Sequence, residues 1–193
     1  MPGFVEAHGH PLMEAIVLSD LMVDIRPVTV RKADGVVNAI RNEVATRGAS
    51  SSTRSTTGVD TLIVDGLFGP EHGERWMPCG SAVATGMRIS LHNDLPVPPE
   101  EPLRNIGVAA TRIAPSGRVL GPEERLTVEQ AIRAQTIDAA YQLFSDVVIG
   151  SLEVGKYADM VVLSADPRAV PPEQIADLEV QRTYLAGLQV YPK

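Results

Sequence analysis

Apolar positions along this chain fall into short continuous runs and runs with helical spacing, and the two kinds alternate. Phe4 and Val5 follow a Pro-Gly turn and predict a strand over residues 3–8. Residues 12–21 form an apolar stretch compatible with a helix packed beside it. Asp34 is the expected N-cap of a second helix, because Val36, Val37, Ile40 and Val44 fall on one face before the pattern stops near Gly48. Leu62, Ile63 and Val64 predict a buried strand over 61–65, and a second is expected over 87–91 after a small-residue helical piece at 81–85. Two helices follow, over 103–113 and 127–144, the latter with Thr127 as cap and Gln130 at the capping-box position. The end of the chain predicts strands over 159–164, 178–186 and 189–191, the last two joined at a Gly187-Leu188 bend.

Two interruptions divide this pattern. Residues 48–58 contain no apolar side chain larger than Ala, so they have no means of burying themselves in a core and read as a linker or a junction, with an ordinary surface loop as the alternative. Pro96, Pro98, Pro99 and Pro102 force an extended or turning loop, the kind of segment that presents side chains at the rim of a scaffold. The expected division is therefore 1–48, a 49–58 junction, 59–148 and 149–193.

Composition narrows the function classes. The 193 residues are 44% hydrophobic and 21% charged, the proportions of a soluble globular protein. A formal charge of −7 with no basic stripe argues against a nucleic-acid partner. A single cysteine, Cys79, excludes an intramolecular disulfide, and no Cys/His spacing of a structural zinc site is present. The sequence shows neither the basic start and apolar core of a signal peptide nor an apolar run of ~20 residues that could span a bilayer. The expectation is a cytoplasmic protein without membrane contact.

Two short stretches can carry chemistry. In Glu6-Ala-His-Gly-His10 the two-residue period of a strand turns Glu6, His8 and His10 to one face, where two imidazoles can bind one divalent ion or stand as ordinary surface or core histidines. In Ser90-Leu-His-Asn-Asp94 a predicted buried strand runs into the proline-rich loop. Asp94 there can be a metal ligand, a general base or a loop-capping carboxylate, and His92 on the same face is equally open. Other residues have simpler readings: His72 in a loop-to-helix segment, Lys156 as a solvated turn residue, Cys79 as a small buried hydrophobe. No Gly-x-Ser-x-Gly elbow supports a serine hydrolase.

Taken with their flanks, these stretches resemble a known family. Pro2-Gly-Phe-Val-Glu-Ala-His-Gly-His10 is similar to the opening barrel strand of metal-dependent amidohydrolases. Ser90-Leu-His-Asn-Asp-Leu-Pro-Val-Pro98 is similar to the eighth strand in the YtcJ-like branch, amidohydrolase family 3. Ile149-Gly-Ser-Leu-Glu-Val-Gly-Lys-Tyr-Ala-Asp-Met-Val-Val-Leu163 resembles the return to the small β-sandwich, and Thr183-Tyr-Leu-Ala-Gly-Leu-Gln-Val-Tyr191 resembles its last hairpin. The resemblance implies an α/β fold made of (β/α)8 TIM-barrel pieces plus part of the amidohydrolase β-sandwich. It further implies His8, His10 and Asp94 as ligands of a divalent metal, expected to be zinc, with Asp94 also the catalytic proton acceptor and His92 a substrate-side candidate. The implied reaction is hydrolysis of a non-peptide C–N bond in a small amide or formamide.

The chain departs from the family's pattern in its middle. No residue here matches the family's bridging lysine or acidic ligand or its two further histidines, and only about three barrel strands can be found where a full barrel needs eight and about 250 residues. The expectation is a truncated, internally deleted member. Three possibilities follow: a metal-dependent hydrolase by descent, with His8, His10 and Asp94 retained and weak or no activity on its own, a non-catalytic fragment, and a subunit completed by another polypeptide. Open strand edges further predict association between copies.

Overall fold

The computed structural model describes residues 1–4, 50–54, 69–92, 101–114 and 116–192. The elements expected over 12–21, 34–48 and 61–65, most of the 3–8 strand and most of the proline-rich loop lie outside the described residues. Ser50–Arg54 (β1) pairs in parallel with Arg88–His92 (β2), from Ser50 opposite Arg88 to Arg54 opposite His92. Ser50–Arg54, inside the segment expected to be a linker or junction, is thus a strand. A strand ladder is made by backbone N–H and C=O groups, so a polar run can join a sheet without an apolar side chain of its own.

Five helices are described: Gly69–Gly73 (α1), Cys79–Ala84 (α2), Pro102–Thr111 (α3), Val128–Ala134 (α4) and Ile137–Gln142 (α5), with 3-10 turns at Pro122–Glu124 and Pro172–Asp177. Ile89 and Leu91 of β2 are buried in one core with Leu103 and Ile106 of α3, Ala131 and Ala134 of α4, Ile175 and Cys79. Burial of Ile106 and Ile175 is complete, which stabilises the fold by about 1.5–3 kcal/mol per side chain. Gly107 permits this packing, since a Cβ there would lie 3.2 Å from the Pro172 carbonyl oxygen of the second 3-10 turn.

Helix α3 begins with proline in its first turn, where the missing N–H costs nothing. The Thr127 and Gln130 capping box at the start of α4 is present with both of its hydrogen bonds. The expected single helix over 127–144 is instead two. Thr136 leaves helical geometry at φ −134°, ψ −99°, and its hydroxyl donates to the Ile132 carbonyl at 2.8 Å. A side-chain hydroxyl here satisfies the preceding turn while the backbone changes direction.

Two buried charges tie this layer together. Arg112 adopts a left-handed conformation at the end of α3 and is 3% exposed. Its guanidinium donates to the carbonyls of Leu120, Met77, Trp76 and Glu74. Glu124, also 3% exposed, accepts from the Ser81 backbone N–H at 2.7 Å and from the Ser81 hydroxyl, covering the first turn of α2. Burial pushes the Glu124 carboxyl upward, but the Ser81 hydrogen bonds and the Arg112 and Arg75 charges outweigh it and hold it below its ordinary value. A depressed carboxyl contributes stability that is present above its unfolded pKa of about 4.3 and lost as pH falls through the lower folded value. Glu124→Gln is therefore expected to cost about 1–3 kcal/mol at pH 7. The gap in urea midpoint between variant and wild type should shrink on approaching pH 3.

Near the C-terminus Met160–Leu163 (β3), Val180–Leu185 (β4) and Leu188–Tyr191 (β5) form an antiparallel sheet in that order. The β4–β5 turn is centred on Ala186 and Gly187, one residue earlier than the expected bend, both with positive φ as a two-residue hairpin requires. Residues 1–3 lie along the other edge of β3. Pro2 bridges Met160 in antiparallel sense, Gly3 N–H donates to the Asp159 carbonyl at 2.9 Å, and Val161 N–H donates to the Met1 carbonyl at 3.0 Å. Lys156, before this sheet, is not the solvated residue expected. Its side chain is 11% exposed, donates to Ser151 Oγ at 2.6 Å and pairs with Glu153 at 3.2 Å.

Candidate active site

Because β1 and β2 run in the same direction, Arg54 and His92 mark one edge, the C-terminal end of the parallel pair. Ligand and catalytic groups of parallel α/β folds gather at such ends, where loops leave the scaffold. His92 is the last residue of β2 and 7% exposed. The two-residue period puts Ser90 with His92 on one face of the strand and the core residues Ile89 and Leu91 on the other.

The end of β2 is held by buried amide side chains. Gln135, the C-cap of α4 and 1% exposed, donates through Nε2 to the Leu91 carbonyl oxygen. Its Oε1 accepts from Asn105 Nδ2 of α3 at 3.3 Å, and Asn105 is also 1% exposed. Ser90 Oγ donates to Gln142 Oε1 of α5. Three of the helices that pack on β2, α3, α4 and α5, thus each send it a polar side chain or support one that does.

Of the residues singled out from the sequence, His92 stands at this strand end, whereas His8, His10 and Asp94 lie outside the described residues. Asp94 follows His92 by two positions. His72 is exposed on α1, and Cys79 is 5% exposed in the core. Among the described residues no group of three or more His, Cys, Asp or Glu side chains is placed to hold a metal. A cavity of about 230 Å3 between α3 and the second 3-10 turn is lined by Arg104, Gly107, Thr111 and Glu173 among others, with no residue of β2. It is a groove of the helical flank, separate from the strand end.

Gln135 and Asn105 were not foreseen from the sequence. A weak signal existed for each, a polar amide on a helix face otherwise occupied by Leu103, Ile106, Ala131 and Ala134, and such a group when buried must find partners.

The sequence profile of the amidohydrolase family matches residues 46–191, which include β1, β2, all five helices and the antiparallel sheet. The chain belongs to the amidohydrolase family. This amidohydrolase is 33% identical over 116 residues to an N-substituted formamide deformylase of Arthrobacter pascens, covering 60% of the chain and 21% of that protein. It is 32% identical over 114 residues to the putative amidohydrolase YtcJ of Bacillus subtilis, covering 58% of the chain and 22% of the relative. The match thus spans about a fifth of the length of either relative. An adenosine deaminase from Xanthomonas campestris, solved with bound zinc, superposes at a TM-score of 0.52 and 19% identity over 96% of this chain and 44% of that one, a likeness of fold. No helix among the described residues of the amidohydrolase is long and apolar enough to cross a membrane.

Proposed function

We propose that this chain carries part of the site of a metal-dependent hydrolase acting on a non-peptide C–N bond of a small amide or formamide. The observation that carries the reading is the family match across β2 and residue 94, together with the parallel pair that ends at His92. Relatedness to a formamide deformylase supports the substrate class.

In this reading His8 and His10 offer neutral imidazole nitrogens and Asp94 a carboxylate oxygen, a donor set that fits zinc in type and number. When bound, such a metal supplies Lewis-acid polarisation of the carbonyl and lowers the pKa of a bound water toward about 7. Asp94 accepts the proton of the attacking water at a carboxylate oxygen and returns it to the nitrogen as the C–N bond breaks. His92, two residues before it at the strand end, orients the substrate.

The architecture proposed with it is a segment of a (β/α)8 barrel over 59–148, joined by β1, and a remnant of the small β-sandwich over 149–193. The change from a parallel pair to an antiparallel sheet supports that division. With β5 at the edge of its sheet among the described residues, copies can associate through strand edges, which light scattering would detect.

Metal analysis tests the reading. Purified protein is expected to hold about one zinc per chain, and His8→Ala with His10→Ala to lose it, as removal of two of three ligands demands. Hydrolysis of an N-substituted formamide should disappear with chelation and return with zinc. Wild-type protein free of zinc and inactive on such substrates would support the non-catalytic fragment instead.

A further inference from the structure

The interruption between α4 and α5 falls at a residue whose side chain is buried against β2. Gln135 closes α4 at φ −99°, ψ 4°, and Thr136 then leaves helical geometry altogether. A continuous helix would satisfy the backbone of this stretch locally. Instead the chain breaks, and the Gln135 carboxamide ends 1% exposed against the penultimate residue of β2.

We propose that Gln135 is a positioning residue for the exit of β2 and therefore for Asp94, an inference that rests on the role given to Asp94 above. A glutamine suits this task because it donates and accepts at once. Its Nε2 holds the Leu91 carbonyl oxygen, and its Oε1 is oriented by Asn105 Nδ2 at 3.3 Å, so the amide has one rotational state that satisfies both neighbours. Asn105 is anchored on α3 and Gln135 on α4, so two helices that pack on β2 fix one backbone atom of the strand. Only His92 and Asn93 separate Leu91 from Asp94 in the sequence. A group that binds metal or moves a proton must be held to within about 0.5 Å, and the Leu91 carbonyl is the last main-chain oxygen before His92 that the helices hold through a side chain among the described residues. Packing alone would be served equally by methionine, which matches glutamine in volume and has neither the donor nor the strong acceptor.

That difference defines the experiment. Gln135→Met is expected to leave far-UV and near-UV circular dichroism unchanged. Zinc affinity, measured by chelator competition, should fall about 10–100-fold, the usual effect of losing a partner that orients a ligand. Amide hydrogen exchange in metal-free protein should accelerate about tenfold or more in a peptide covering residues 88–94, by the loss of about one net hydrogen bond. A peptide from β4 should exchange as before. Unchanged affinity together with unchanged exchange over 88–94, or acceleration equal in both peptides, would overturn the proposal. Wild-type protein that binds no zinc would overturn the metal reading of Asp94, while the exchange contrast would still decide whether Gln135 holds the strand exit. If Gln135→Met does not fold, Asn105→Ala removes the orienting donor together with the rest of its carboxamide: faster exchange confined to 88–94 then supports the proposal, and unchanged or uniformly faster exchange overturns it.

Discussion

Asp94→Asn is expected to lower kcat for hydrolysis of an N-substituted formamide by about 10²–10⁴-fold, the range for loss of a positioned general base. Asparagine preserves the size of the side chain and one oxygen, so folding should be unaffected and the melting temperature should stay within about 2 °C. What it loses is basicity: its amide oxygen cannot take a proton from the attacking water at neutral pH. A thousandfold loss corresponds to about 4 kcal/mol of transition-state stabilisation. Two readouts separate the roles assigned to this carboxylate. If zinc content is retained, the deficit is proton transfer, KM is little changed, and the acidic limb of the kcat/KM profile disappears. If zinc is lost as well, Asp94 acts chiefly as a ligand, and excess zinc should restore part of the rate. Retention of activity within tenfold of wild type would remove Asp94 from the chemistry.

What is legible in the sequence is local. The capping box at Thr127 and Gln130, proline at the start of α3, the β4–β5 hairpin and the strand at 88–92 are each announced by residues within a few positions of themselves. What is not legible is held by partners far along the chain. Ser50–Arg54 has the composition of a loop and becomes a strand because β2, nearly forty residues later, supplies a backbone to pair with. The helix expected over 127–144 is divided where Gln135 finds the Leu91 carbonyl, and no periodicity at 135 could announce that partner. The candidate site divides the same way. His8, His10 and Asp94 stand out by type and spacing, and they lie outside the described residues, as most of the first predicted strand does. His92 ends β2 and is buried, and the amides that hold Leu91 and Ser90 before it emerge only from the structure.

The largest stability effect is expected at Arg112. Its guanidinium satisfies the carbonyls of Met77, Trp76 and Glu74 in the segment before α2 and that of Leu120 after α3, and its charge faces Glu124. Burial works against the charge and lowers the arginine's pKa from its ordinary value, and the nearby Cys79, Glu124 and Glu123 offset part of that penalty. Arg112→Met would leave four acceptors without their donor and a buried carboxylate with only the Arg75 charge to offset it. The cost should be about 3–5 kcal/mol, below the sum for separate unsatisfied groups because water can reach part of the 74–77 segment. In a chain of this length that lowers the melting temperature by about 6–20 °C. Lysine cannot reproduce the clamp, since one ammonium presents three donors at a single point while the guanidinium spreads five over a planar fork. Arg112→Lys should therefore recover less than half of the loss. Backbone strain adds a separate contribution, because Arg112 sits at φ 61°. Arg112→Gly relieves it and should be less damaging than Arg112→Ala by about 1 kcal/mol in urea denaturation. If Arg112→Met instead costs under about 1 kcal/mol, then water, and not arginine, is the effective partner of these carbonyls.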